Sequence, residues 1–194
     1  MESTILWRRL DRPGHESARL IESPASHELE GAAVLIESNL PVRLDYRIRC
    51  DERWHTCEAA VRGWIGSRRI DAEIEVVDGR WMMNGAEISA LSGCIDLDLN
   101  FSPSTNLLPI RRLGLAVGGE SLVRAAWLRF PSFELEVLEQ QYSRVDRDVY
   151  RYVSGSFTAE LKVNEAGFPV LYAGVWVAEA SGPANDAGLQ LFSG

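Results

Sequence analysis

The sequence predicts a mainly β, single-domain fold in which a long, mostly antiparallel sheet is wrapped around one short helix. Three observations predict it. Period-two alternation recurs through most of the 194 residues. The dipeptide Asp78-Gly79 separates two strand-like runs as a hairpin turn. A Ser-Pro-Ser-Thr-Asn turn at 102–106 leads into a segment, Leu107 to Leu113, that is apolar around most of its circumference. The domain is assigned to residues 1–180 and a loosely attached tail to 181–194.

Weak apolar runs near Leu6, Leu20 and Val34 open the chain as strands. Val42, Leu44, Tyr46, Ile48 and Cys50 then share one face while Arg43, Asp45, Arg47 and Arg49 share the other, as in a half-buried strand. Cys57, Ala59 and Val61 repeat the pattern on an inner face, and so do Ile70, Ala72, Ile74 and Val76. Asp78 and Gly79 accept the positive φ of a type I′ turn, so Arg80 to Met83 folds back. Thr105 or Asn106 is expected to N-cap a helix over Leu107–Leu113. Pro109 is tolerable in its first turn, and Gly114 follows as the residue that ends it. So apolar a helix has to be enclosed by sheet. Glu120 to Leu128 could be helical by composition but is read as strand, because its continuation AWLRF is strand-like. Phe133 to Val137 and Phe157 to Val163 alternate. Val170 to Ala178 is apolar on both faces and is read as one central strand. About a dozen or more strands result.

With 20 Lys and Arg against 28 Asp and Glu, the net charge is −8, which repels nucleic acid and anionic membrane surfaces. No stretch approaches the roughly 20 apolar residues of a membrane span. The opening MESTILWRRL has an apolar run of only Ile5 to Trp7 before Arg8 and Arg9, so a cytoplasmic location is expected. Cys50, Cys57 and Cys94 have no C-x-x-C spacing and are read as reduced core thiols rather than as a nucleophile with His55. Without a phosphate loop, a dinucleotide fingerprint or a His/Cys cluster, no cofactor and no metal are expected.

The segments Gly93 to Leu99, Ser102 to Asn106, Leu108 to Leu113, Ala126 to Pro131, Gln141-Tyr142 and Tyr150 to Tyr152 resemble a bacterial family of glycolipid-binding proteins. The resemblance extends from Leu40 to about Val177. It implies a spiral β-roll or half-open barrel, similar to periplasmic lipoprotein carriers, that takes a lipid or glycolipid in an apolar cavity without catalysis. Each buried acyl methylene would contribute ~0.8 kcal/mol. On that reading Trp81, Trp127, Tyr142 and Trp176 are wall residues, and Arg111 and Arg112 meet an acidic head group at the rim. Ordinary core packing is the first reading of the aromatics. For the arginines it is a helix-end charge pair or a salt bridge to Asp96 and Asp98.

Two other classes stay open. Asp96 and Asp98 share a strand face, roughly 6.8 Å apart along the strand, near the separation of paired carboxylates in glycoside hydrolysis. Glu73/Glu75 and Glu134/Glu136 show how often alternating strands make such pairs. An interaction module joined through an exposed sheet edge is the third class, and monomer and homodimer are both open.

Overall fold

The computed structural model describes residues 1–183. Six strands, β1 (Glu2–Arg9), β2 (Gly14–Glu22), β3 (Ser26–Glu37), β4 (Leu40–Asp51), β5 (Thr56–Ile65) and β6 (Arg68–Val77), follow one another as antiparallel hairpins. Two short strands, β7 (Arg80–Met83) and β8 (Ala86–Glu87), complete that edge. Asp78 and Gly79 have φ of 52° and 75°, the conformation that the sequence requires of them. The chain next forms β9 (Asp96–Leu99), a 3-10 turn (Ser104–Asn106) and α1 (Leu107–Leu113). It returns through β10 (Glu120–Arg129), β11 (Glu134–Arg144), β12 (Val149–Ser154), β13 (Phe157–Val163), β14 (Pro169–Tyr172) and β15 (Trp176–Pro183).

All fifteen strands form one open sheet, with β1 beside β15 at its middle and β8 and β9 at its edges. The pairing is antiparallel except between β9 and β10, which are parallel. Parallel neighbours cannot be joined by a tight turn. The crossover that they need is the segment carrying α1, which is why the helix lies where it does.

One extra residue alters the pairing of β4 with β5. Between β4 and β5 the register passes from Arg49↔Glu58 to Cys50↔Thr56, leaving Cys57 as a bulge. The inner phase of β5 is thereby Thr56, Ala59 and Val61, and Cys57, expected inside, is only half-buried. Alternation alone carries no sign of a bulge. Thr56 reaches across to the edge strand β9. Its N–H donates to the Ile95 carbonyl at 3.2 Å, and its Oγ1 accepts the Leu97 N–H at 3.1 Å. Strands far apart in the sheet order meet there.

α1 fills the inside of the roll. Leu107 and Leu108 belong to a large core with Trp7, Trp81, Phe101 and Phe168, while Ile110 belongs to a second cluster with Tyr142, Tyr150, Tyr152 and Leu161. β10 divides the two. Ala126 and Leu128 face the first, and Val123 and Ala125 the second, so this strand buries apolar side chains on both of its faces, with Arg124 exposed between Val123 and Ala125. Gly114 ends the helix at φ 52°, donating its N–H to the Ile110 carbonyl at 3.2 Å. The expected side-chain N-cap is not made, because the 3-10 turn runs directly into the helix. Thr105 Oγ1 accepts the Leu99 N–H instead, and Asn106 Oδ1 accepts the Tyr142 hydroxyl at 2.9 Å.

Val170 to Ala178 is not one strand but a hairpin: Gly174, at φ 76°, lies in the turn between β14 and β15. Ser181 to Pro183, expected in the tail, pair with Ile5 to Ser3 of β1, and residues 184–194 lie outside the described residues. No helix among the described residues is long and apolar enough to cross a membrane.

Two consecutive arginines tie α1 to opposite walls. Arg112 makes a two-pronged pair with Asp96 of β9 at 2.9 and 2.6 Å. Arg111 reaches Glu22 of β2 at 2.5 Å and lies 4.9 Å over the Trp54 ring, which stacks on His27. The Asp96 side chain is 1% exposed and that of Arg112 16%. Loss of the arginine therefore strands a carboxylate, whereas loss of the carboxylate leaves a guanidinium with a path to water. Arg112→Ala should lower the unfolding free energy by about 3 to 5 kcal/mol in urea titration and Asp96→Ala by clearly less. Equal losses would mean that the pair shares its burial cost evenly.

Candidate functional site

A cleft of about 410 Å³ opens at the end of the roll where Arg9 of β1 pairs with Trp176 of β15. Its lining combines the aromatic side chains Trp127, Tyr152, Phe157, Tyr172 and Trp176 with the polar ones Asp98, Asn100, Ser102 and Asn106. The parallel register sets Asp98 directly beside Trp127, and the β14–β15 hairpin sets Tyr172 opposite Trp176. Tyr152, Phe157 and Tyr172 meet one another with ring centroids 6.1 Å apart. The Ser-Pro-Ser-Thr-Asn turn is the floor. Arg9 stands at the rim, 5.2 Å over the Trp176 ring and paired with Asp11 at 2.6 Å.

The charges of the cleft are set from behind. Gln140, 3% exposed, donates from Nε2 to Asp98 Oδ2 at 2.5 Å and to the Tyr152 hydroxyl at 3.1 Å. Burial raises the Asp98 carboxyl to about 6, with the Gln140 hydrogen bond acting against it. Burial also keeps the Tyr152 and Tyr172 hydroxyls protonated far above neutrality, so they remain donors. At the rim, against the upward push of burial, the hydrogen bond and charge of Arg9, with Arg12, hold the Asp11 carboxyl below its usual value.

Behind Ser102 lies a second polar group, centred on Glu16 of β2, which is 1% exposed. Its Oε1 contacts the Tyr46 hydroxyl at 2.7 Å and Ser102 Oγ at 2.5 Å. Ser104 Oγ lies 2.7 Å from the Tyr46 oxygen and 2.6 Å from Ser102 Oγ. Oε2 has no partner. Burial raises this carboxyl to about 8, against the hydrogen bonds from Ser102 and Tyr46 and the charge of Arg9. Tyr46 reaches it because its cross-strand neighbour is Gly31; a Cβ there would lie 2.6 Å from the tyrosine Cζ.

Of the residues singled out in the sequence, Asp98, Trp127 and Trp176 come together on the cleft, although Trp176 is 3% exposed and packs mostly into the large core. Tyr142 stands one residue behind and holds Asn106. Trp81 lies in the core, 1% exposed, with its indole N–H on the Cys94 carbonyl at 3.1 Å. Asp96 and Arg112 hold each other, and Arg111 lines grooves beside the β13–β14 turn. The carboxylates Asp96 and Asp98 thus have separate surroundings, one locked to an arginine and the other open to the cleft. Burial raises the thiols of Cys50, to about 12, Cys57 and Cys94, so none is a ready nucleophile. No group of three or more His, Cys, Asp or Glu among the described residues could hold a metal.

Sequence reasoning missed Glu16, Gln140, Tyr152 and Tyr172. Glu16 did leave a signal, an acid in the same phase as Ala18 and Leu20 on the buried face of an alternating strand.

A crystal structure of a DUF1089 family protein from Pseudomonas aeruginosa superposes with a TM-score of 0.75. It is 34% identical over 84% of this chain and 90% of its own. No curated protein matches the chain. The family model described as "Putative glycolipid-binding" matches residues 4–178, nearly the whole roll with every residue that lines the cleft, and the chain belongs to that family.

Proposed function

We propose that the protein binds a glycolipid without transforming it, seating the saccharide head group in the cleft and leaving the acyl chains outside. The observation that carries this reading is the pairing of Asp98 with Trp127 on a cleft that Trp176 also lines. A sugar ring presents C–H faces that pack on indoles and edge hydroxyls that donate to a carboxylate. Hydrogen bonds to a charged group contribute about 1.5 to 3 kcal/mol, so a few contacts suffice for selective binding. The acyl chains belong outside because the inside of the roll is occupied: Trp7, Leu107, Leu108 and Phe168 are at most 1% exposed. The family description supports the ligand class.

The test is titration of tryptophan fluorescence with n-octyl β-D-glucoside below its micelle concentration, beside tetraethylene glycol monooctyl ether as a sugarless control. Saturable quenching by the glucoside alone is expected, with Trp127→Ala and Trp176→Ala each weakening it roughly tenfold. Equal response to the control would overturn the head-group reading.

Asp98 adds a pH signature. Ionised above about pH 6, it accepts sugar hydroxyls, so affinity should fall as pH drops from 7 to 5, and Asp98→Asn should bind weakly with no such dependence. Its folded-state pKa is raised, so its ionisation costs stability as pH rises from about 4 to 6. Asp98→Asn should therefore melt higher than wild type at pH 7. A variant that lost both affinity and stability at pH 7 would make Asp98 a structural residue.

A further inference from the structure

Glu16 Oε1, the Tyr46 hydroxyl, Ser104 Oγ and Ser102 Oγ form a closed ring, each 2.5 to 2.7 Å from the next. Separations this short require a proton on every edge. Four edges need four protons, and three hydroxyls supply three. An ionised Glu16 would leave two oxygens facing lone pair to lone pair, inside the protein and beside a buried charge. A proton on Oε2 would not help, because Oε2 is not in the ring. One on Oε1 completes it, each oxygen then donating once and accepting once around the circle.

We infer that Glu16 works as a neutral carboxylic acid whose proton closes this ring, and that the ring holds the Ser-Pro-Ser-Thr-Asn turn in place as the floor of the cleft. Ser102 and Ser104 both belong to that turn, and the Ser104 N–H also donates to Ser102 Oγ at 3.1 Å. Every element around Glu16 agrees with a neutral group. β1 sets Trp7 beside it, β3 sets Ala33, and β4 contributes the Tyr46 hydroxyl. The cation that acts on it, Arg9, is already paired with Asp11. When the proton is lost one edge must open, and Ser102, the ring member that lines the cleft, connects the acid to solvent. The role requires no ligand, so it stands or falls separately from glycolipid binding.

The first measurement is the titration of glutamate side-chain carboxyls by 13C NMR in wild-type protein, with the Glu16 signal assigned by through-bond correlation. Glu16 is expected to titrate above pH 7, well apart from the exposed glutamates; titration among them would overturn the inference. The second is unfolding against pH for wild type and Glu16→Gln, whose amide N–H groups supply the missing donor at every pH. The ratio of their unfolding constants should shift tenfold per pH unit in favour of the variant from about pH 4.5 to 8 and then level off. A constant ratio would overturn it. Amide exchange reads the floor itself: protection of Leu99 and Ser104 should fall above pH 8 in wild type and not in Glu16→Gln. Unchanged protection would remove the ring's hold on the turn.

Discussion

A sheet of fifteen strands has to be rolled to bury one face, and here the rolling is fixed where Thr56 meets β9. The bulge at Cys57 turns Thr56 inward, where it bonds the backbone of the edge strand at Leu97 and of Ile95 just before it. β9 is four residues long and has one ladder partner, β10, on its other side. Thr56 satisfies groups that β9 would otherwise leave unpaired. Everything downstream follows from that anchorage. The parallel pairing demands a crossover, the crossover carries α1, and Asp96 gives Arg112 a fixed point from which to hold it. Two residues on, Asp98 emerges at the cleft.

How much of this could be read in the sequence depended on whether the information was local. Hairpins with turn dipeptides, such as Asp78-Gly79, were legible because the turn residues and the flanking alternation agree. The enclosed helix was legible because an all-round apolar segment has no stable place on a surface. What failed was one-residue detail. The Cys57 bulge exchanges Thr56 for Cys57 on the inner face at the start of β5 without a mark in composition, and the break at Gly174 lies inside a run whose apolarity suggested continuity. The missing N-cap has a tertiary cause, since Thr105 and Asn106 were recruited by Leu99 and Tyr142.

The candidate site was legible in part for the same reason. Asp98, Trp127 and Trp176 lie in or beside distinctive segments, but their meeting depends on a parallel register and a hairpin that local patterns do not specify. Gln140 and Tyr152 matter because they stand behind Asp98, which is known only once β10, β11 and β12 are side by side. Glu16 is the opposite case: its oddness is local, an acid where a valine would be expected, while its meaning comes from Tyr46 and two serines 30 to 88 residues away in the chain.

The pairing of β1 with β15 has a kinetic consequence. Ser3 lies opposite Pro183, so the middle of the sheet is joined by segments from the two extremes of the described chain, whereas its edges come from the interior. Each half can zip its own hairpins from local contacts, but the seam between the halves closes a loop spanning nearly the whole fold. During synthesis β1 must therefore wait, with its outer edge unpaired, until β15 has left the ribosome. In that interval the exposed backbone of β1 is a template for pairing with the wrong partner. The strand that is central and safest in the finished molecule is the most vulnerable one in the unfinished chain.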